Sequence, residues 1–443
     1  MRKIPQFFSR FNGWIALIVI LTFVLGWQLG HRDYKLAISD YKPSFKVINQ
    51  APPAGSESID FKLFWQTWDL ISEKYIDKTA LDPQKLYYGA IQGMVAAIGD
   101  PYTVFLPPQA QKVTKEQLSG EFDGVGIQLG YSKDKRLVVI APLKGTPADK
   151  AGVKPGDLIL KIDDKDTTSL SLPEAVSLIR GNKGSSVKLN LLAESDSKPR
   201  DVLLTRDTIT VKSVAVETKQ TKPAPTTNVS SGTTPSSSGN QADKTPSDEN
   251  SKTTKSGKSV AYIRLSSFGE KTKTEWDSAV SDALAKAPQG IIIDVRNNPG
   301  GFLDAAVYIA SEFLDGGTVV IQQDYQGQKV IQSVLRAGKM LKLPLVILIN
   351  KGSASASEIL AGAIQDRKRG TLVGDQSFGK GTIQSAEDLP QGTGIHITTA
   401  KWLTPNERWI HTVGLTPDVK VEMGDDPKLD KQLDKALELL DSQ

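Results

Sequence analysis

The chain of 443 residues contains no cysteine and only three histidines. Without cysteine there is no disulfide framework, no thiol nucleophile and no thiolate metal site. The histidines, His31, His396 and His411, include no His-Glu-x-x-His motif and no pair at helical spacing, so no metal site is expected. A Ser-His-Asp triad would have to draw on His396 or His411, which lie in or near strand-like stretches where structural roles are expected. Charge of one sign is not concentrated either. The net charge is +4 and no Lys/Arg block sits beside aromatics, so no nucleic-acid surface is expected.

Long apolar runs are absent with one exception. Residues 14–30 carry no charge and follow Arg2, Lys3 and Arg10. Roughly 17–25 apolar residues span a bilayer. The run ends in Trp27-Gln28-Leu29-Gly30 without a small-x-small cleavage pattern, so one uncleaved transmembrane signal anchor is expected rather than a removed leader. The basic tail, residues 1–13, would stay cytoplasmic, with the bulk of the chain extracytoplasmic on a cell membrane.

What is present divides the rest of the chain. Residues 31–58, with Pro43, Pro52, Pro53 and Gly55, read as a stalk. Residues 59–112 form a helical N-terminal region, in which Phe61, Phe64, Trp65, Trp68 and Ile71 recur at helical spacing. That aromatic face is expected to meet a core, with pairing of two copies as the alternative. Residues 113–206 are β-rich, open with Gly124-Val125-Gly126-Ile127, and include a capping box at Ser171 and Glu174. Residues 217–258 are Thr, Ser, Lys, Pro and Gly with almost nothing apolar. They cannot bury enough surface to offset ordering entropy, and read as a disordered insertion. Over residues 259–425 strands and helices alternate, which predicts a layered α/β core, and the apolar runs at 291–295 and 345–349 suit strands covered on both faces. Residues 426–443 read as an amphipathic helix through Leu433, Leu437 and Leu440.

Three pieces carry chemistry. Ser353, Ser355 and Ser357 stand where an apolar strand turns into a helix beginning near Glu358. A hydroxyl there lies beside unpaired N–H groups and the positive end of the helix dipole, which suits a nucleophile and its oxyanion. The same residues also make a plain capping box, Ser355 to Glu358. Lys380 lies in Phe378-Gly379-Lys380-Gly381-Thr382-Ile383-Gln384, and acts as a base for the serine only if burial lowers its pKa by about 3 units. A phosphate loop is the competing reading, since Gly374 to Lys380 has its spacing, but Gly381 stands where Ser/Thr would bind magnesium. Asn297-Asn298-Pro299-Gly300-Gly301 follows a buried strand and is able to aim N–H groups at an anion.

Together these motifs resemble the C-terminal processing (tail-specific) serine peptidases, the membrane-anchored bacterial type with an embedded PDZ domain. The resemblance covers residues 59–423 outside the insertion. It implies a ClpP/crotonase-like α/β peptidase core with a β-rich PDZ domain, and no cofactor. It also implies Ser355 as nucleophile, Lys380 as general base, Gln384 as support for that lysine, and the backbone N–H groups of Ala356 and Gly301 as oxyanion hole. Gly124, Val125, Gly126 and Ile127 would hold a substrate's terminal carboxylate, and Arg180, at a helix end, is implicated in gating. The expected function is that of a serine endopeptidase cleaving extracytoplasmic polypeptides with exposed C-termini. A proteolytically silent PDZ scaffold on the same fold is the alternative.

Overall fold

The computed structural model describes residues 60–443 except 133, 194–195, 222–256, 425 and 427–428, and before residue 60 only residues 18, 20–24, 34–39 and 42–47. Most of the apolar run at 14–30 and the body of the expected insertion lie outside the described residues. Among the described residues no helix is long and apolar enough to cross a membrane.

The chain divides into two compact units at residue 86. The first contains a hairpin of β1 (Tyr34–Ser39) and β2 (Lys42–Val47), and helix α1 (Lys62–Lys74). The hairpin falls within the stretch expected to be a stalk. Pro43 suggested an unpaired chain, but it sits near the start of an edge strand, where a missing N–H is tolerated. α1 keeps its aromatic stripe, with the Phe64 ring 5.1 Å from Trp65 and 6.2 Å from Trp68. No residue of this helix is buried, so the stripe does not face a core as expected. Helix α2 (Pro83–Ala96) runs across the division.

The second unit opens with β3 (Val104–Leu106) and α3 (Pro108–Ser119), which Gly120 ends in a left-handed conformation, φ 68°. The β-rich module follows as β4 (Glu121–Gly124), β5 (Ile127–Tyr131), β6 (Leu137–Pro142), β7 (Leu158–Ile162), β8 (Lys165–Asp166), α4 (Leu172–Ile179), β9 (Ser186–Leu192), β10 (Arg200–Thr205) and β11 (Asp207–Thr210). Its sheet has the order β10-β9-β7-β6-β5, so β5 is an edge strand, and α4 packs near it. Strict alternation in β9 sends Val187, Leu189 and Leu191 inward with no exposure. The capping box forms as expected: the Glu174 carboxylate accepts from Ser171 N at 2.8 Å and from its hydroxyl at 2.7 Å.

The α/β core begins earlier than the sequence suggested. β12 (Val214–Gln220) runs into the stretch expected to be insertion and pairs antiparallel with β13 (Ser259–Leu265), from Val214↔Leu265 to Gln220↔Ser259. Its polar residues face outward on an edge strand, which hid it among other polar residues. Residues 221–258 therefore join two paired core strands rather than separating the β-rich module from the core.

The chain continues with α5 (Thr272–Leu284), β14 (Gly290–Asp294), α6 (Leu303–Ala310), β15 (Thr318–Asp324), β16 (Lys329–Ser333), β17 (Leu345–Ile349), α7 (Ala356–Asp366), β18 (Thr371–Gly374), β19 (Thr382–Asp388), β20 (Gly394–Leu403), β21 (Val419–Lys420) and α8 (Lys431–Ser442). The main sheet has the strand order β12-β13-β14-β17-β18-β21, parallel from β13 onward. Every residue of β14 and β17 is buried because both faces are covered. Ile291, Ile293, Leu345, Ile347 and Ile349 pack with α5, α6 and α7, while Ile292, Val346 and Leu348 pack with Ala436 and Leu440 of α8. This double covering is why the runs are continuously apolar rather than alternating. A smaller sheet, β16-β15-β20-β19 with β3 added to β20, stands beside it.

α8 is also held by charge. The buried Arg296 donates to Asp294 at 2.9 and 2.7 Å, to Asp430 at 2.7 and 2.8 Å, and to Gln432 at 3.1 Å. Removing Asp430 leaves a buried guanidinium half paired and strips the cap from Leu433 N. Asp430→Ala is expected to cost about 2 kcal/mol and to lower the melting temperature by several degrees in a thermal scan. An unchanged melt would mean that α8 docks by its apolar face alone.

Candidate active site

Three loops leave the carboxyl ends of three adjacent parallel strands, where open α/β sheets place their crevices. The loop after β14 carries Gly300 and Gly301, the loop after β17 carries the three serines, and the loop after β18 carries Lys380. Neighbouring strand ends bring together residues far apart in the chain.

Packing separates the three serines. Ser353 and Ser357 are fully buried, and their hydroxyls donate to the carbonyls of Val295, at 2.8 Å, and Asn298, at 2.9 Å. Both stitch the serine loop to the glycine loop. Ser355 instead lines a cavity of about 800 Å³ that also takes in Gly300, Gly301, Lys380, Gln384, His396, Trp402 and Arg180. It stands at φ 54°, ψ −113°, outside the favoured regions for an L-residue, at the sharp strand-to-helix turn before α7. Such a backbone costs about 1–3 kcal/mol and is held by its surroundings.

The glycine loop explains its own composition. A Cβ on Gly300, at φ 102°, would lie 2.8 Å from Ser355 Cβ and 2.9 Å from Ala356 N. Gly300 N–H donates to Asn298 Oδ1 at 2.9 Å. Among the described residues the N–H groups of Gly301 and Ala356 donate to no protein acceptor. The two expected anion donors are thus unengaged, and Ala356 N opens α7, where the helix dipole adds positive potential.

Glu358 ties the nucleophile turn to the lysine loop. It is fully buried, and its carboxylate accepts from Ser355 N at 2.8 Å, Lys380 N at 3.0 Å, Ser377 Oγ at 2.6 Å and Gly379 N at 2.6 Å. The capping glutamate of the sequence is therefore also a cross-tie. Its acidity at the third position of a helix that is otherwise apolar (Ile359, Leu360, Ala361) was the available signal. Trp402 Nε1 donates to Lys380 O and Trp409 Nε1 to Gly381 O, both at 2.9 Å, which fixes the far side of the loop.

The Lys380 side chain is half-buried, and its Nζ makes no hydrogen bond or ion pair among the described residues. Burial holds its pKa below the ordinary lysine value, opposed by the charges of Asp100 and Glu358. Gln384 lines the same cavity; its Nε2 donates to Thr382 Oγ1 and Thr398 Oγ1, both at 3.0 Å, and it makes no hydrogen bond to the lysine among the described residues. His396 also lines the cavity; burial, then the charge of Lys380, holds its pKa down, and it makes no hydrogen bond to Ser355 among the described residues. His411 stacks on Trp409 at 5.2 Å and accepts from Gly381 N at 3.4 Å.

Arg180 reaches this cavity from the β-rich module. It pairs with Glu116 at 2.8 Å and lies 4.4 Å from the centre of the Phe122 ring. Gly124, Val125, Gly126 and Ile127 lie elsewhere, between β4 and the edge strand β5. A Cβ on Gly126, at φ 76°, would fall 2.4 Å from Thr146 Cβ, so this turn is built for glycine.

Known families match stretches of this chain. Peptidase family S41 matches residues 259–421, the PDZ domain residues 138–192, and the N-terminal domain of the activating protease CtpB residues 31–110. A carboxyl-terminal-processing protease of Synechocystis is 35% identical over 409 residues, covering 88% of each chain. The carboxy-terminal processing protease CtpA of Bacillus subtilis is 35% identical over 365 residues, covering 82% of this chain and 69% of that one. A solved structure assigned to the S41 proteases, from Bacteroides fragilis, is 14% identical with a TM-score of 0.51, covering 84% of this chain and 96% of that chain. At that identity the likeness is one of fold.

Proposed function

Because the chain belongs to the carboxyl-terminal processing proteases, serine proteases of peptidase family S41, we propose that Ser355 and Lys380 are its catalytic dyad. Ser355 Oγ attacks the scissile carbonyl as its proton passes to Lys380 Nζ. The oxyanion is received by the N–H groups of Ala356 and Gly301. The intermediate collapses to an acyl-enzyme, the leaving amine takes the proton from Lys380, and the lysine then deprotonates the water that releases the product. The observation that carries this reading is a half-buried amine that pairs with no carboxylate among the described residues, in one cavity with a serine at a strained turn.

The same reading covers substrate delivery. The PDZ domain binds peptide C-termini, and a substrate tail adds as a strand to the edge of β5 while the turn at 124–127 holds its carboxylate. The uncharged run at 14–30 anchors the chain, with the protease on the extracytoplasmic side, and the uncovered aromatic face of α1 meets a second copy.

A fluorophosphonate probe on the full chain tests the dyad. Labelling at Ser355 is expected, growing with pH as Lys380 loses its proton, with a midpoint below the ordinary lysine value of 10.5. A wild-type protein that takes no label at Ser355 would instead be a binding scaffold on this fold.

A further inference from the structure

The segment at residues 100–106 lies outside the stretch matched by the peptidase family, yet it folds into the peptidase sheet. β3 pairs with β20 through Val104↔His396, Phe105↔Ile395 and Leu106↔Gly394. The preceding turn is fastened by its own polar groups. Asp100 accepts from Tyr102 N at 3.0 Å and from Thr103 Oγ1 at 2.7 Å, and Thr103 Oγ1 in turn accepts from Thr398 N at 3.0 Å. Thr398 Oγ1 accepts from Gln384 Nε2, so the turn is linked to the residue expected to support the lysine.

This turn presents Tyr102 to Lys380. The Tyr102 ring centre is 5.0 Å from Lys380 Nζ, and the ring stands edge-on to His411 at 6.0 Å. Lys380 lines the cavity and Tyr102 does not, so the ring meets the lysine without forming part of the cavity wall. We propose that Tyr102, carried by the 100–103 turn, is a positioning residue of the active site whose ring closes the back of the Lys380 chamber against water. Asp100 is the fixed carboxylate of the same turn.

Two effects of the ring oppose one another. Excluding water disfavours the ammonium, whereas the ring face attracts it. Burial is the largest influence on Lys380, and the expected sign of the ring's effect is that of excluding water. Of the other titratable or charged groups, Glu358 of α7 acts on the lysine, His396 of β20 feels the charge of the lysine, His411 meets the Tyr102 ring, and Arg180 lines the same cavity.

The test rests on the reading of Lys380 as the base, and keeps the two ideas apart by two measurements. The first is titration of the Lys380 amine by NMR in the full chain carrying Ser355→Ala, which needs no activity. The second is the pH profile of kcat/KM in chains that retain Ser355. Tyr102→Ala is expected to raise both midpoints by about one pH unit, with about tenfold lower kcat/KM at neutral pH. Tyr102→Phe keeps the ring and is expected to keep the wild-type midpoint. Asp100→Asn removes a carboxylate and is expected to lower it. Tyr102→Val carries the same upward expectation if the alanine variant does not fold. An unmoved or lowered amine titration in the truncated variants overturns the proposal while leaving the base assignment intact. A titration that rises while the rate profile stays fixed upholds the role of the ring and removes Lys380 as the base.

Discussion

Ser355→Ala is expected to abolish cleavage of an unfolded polypeptide, with kcat/KM falling about 10⁴-fold or more. Lys380→Ala should fall about as far, and the double variant hardly further. In the proposed dyad the two residues act as one unit, since the serine is a poor nucleophile without a group to take its proton. Residual activity would come from substrate binding and from the Gly301 and Ala356 N–H groups, which neither substitution removes. Single-turnover kinetics on the three variants checks this. Additive losses would mean that the residues act independently, and an active Ser355→Ala chain would remove the nucleophile assignment.

Glu358→Ala is expected to produce the second largest loss, for a different reason. Among the described residues its carboxylate is the only acceptor for three backbone N–H groups, and it receives the Ser377 hydroxyl, all at a buried site. Leaving them unpaired costs about 3 kcal/mol or more. The loops bearing Ser355 and Lys380 also lose their common anchor, and misplacement by about an ångström is worth roughly 100-fold in rate. The expected signature is a lower melting temperature together with a kcat loss of about 100-fold or more. Glu358→Gln fills the space, but turns an amide N–H₂ toward donors and should recover only part of both. Full activity in the alanine variant would mean that the strained turn at Ser355 is held by packing alone.

Different parts of the molecule were legible to different degrees. β17 was readable to its ends because a strand buried on both faces has an unbroken apolar run bounded by polar turn residues. α8 was readable because Leu433, Leu437 and Leu440 repeat at helical spacing, although Arg296, which binds its first turn, left no trace in that pattern. β12 was missed because its outer face is polar and its partner lies beyond residues 222–256. α1 was misjudged in the opposite sense: its stripe was found, but periodicity says only that one face is apolar, not what covers it.

The chain alone determined the class of chemistry. With no cysteine and few histidines, the nucleophilic site expected from the sequence was a serine at a helix start with a lysine in a glycine-rich loop. Local spacing reaches that far because caps, turns and strand ends are decided by near neighbours. Only the tertiary structure decided which serine faces the cavity, that Glu358 joins both loops, that Gly301 and Ala356 keep their N–H groups unengaged among the described residues, and that the Tyr102 ring lies against the Lys380 amine. Those facts depend on the pairing of β14, β17 and β18 and on the seating of β3 against β20. No periodic pattern records contacts between segments brought together by the sheet.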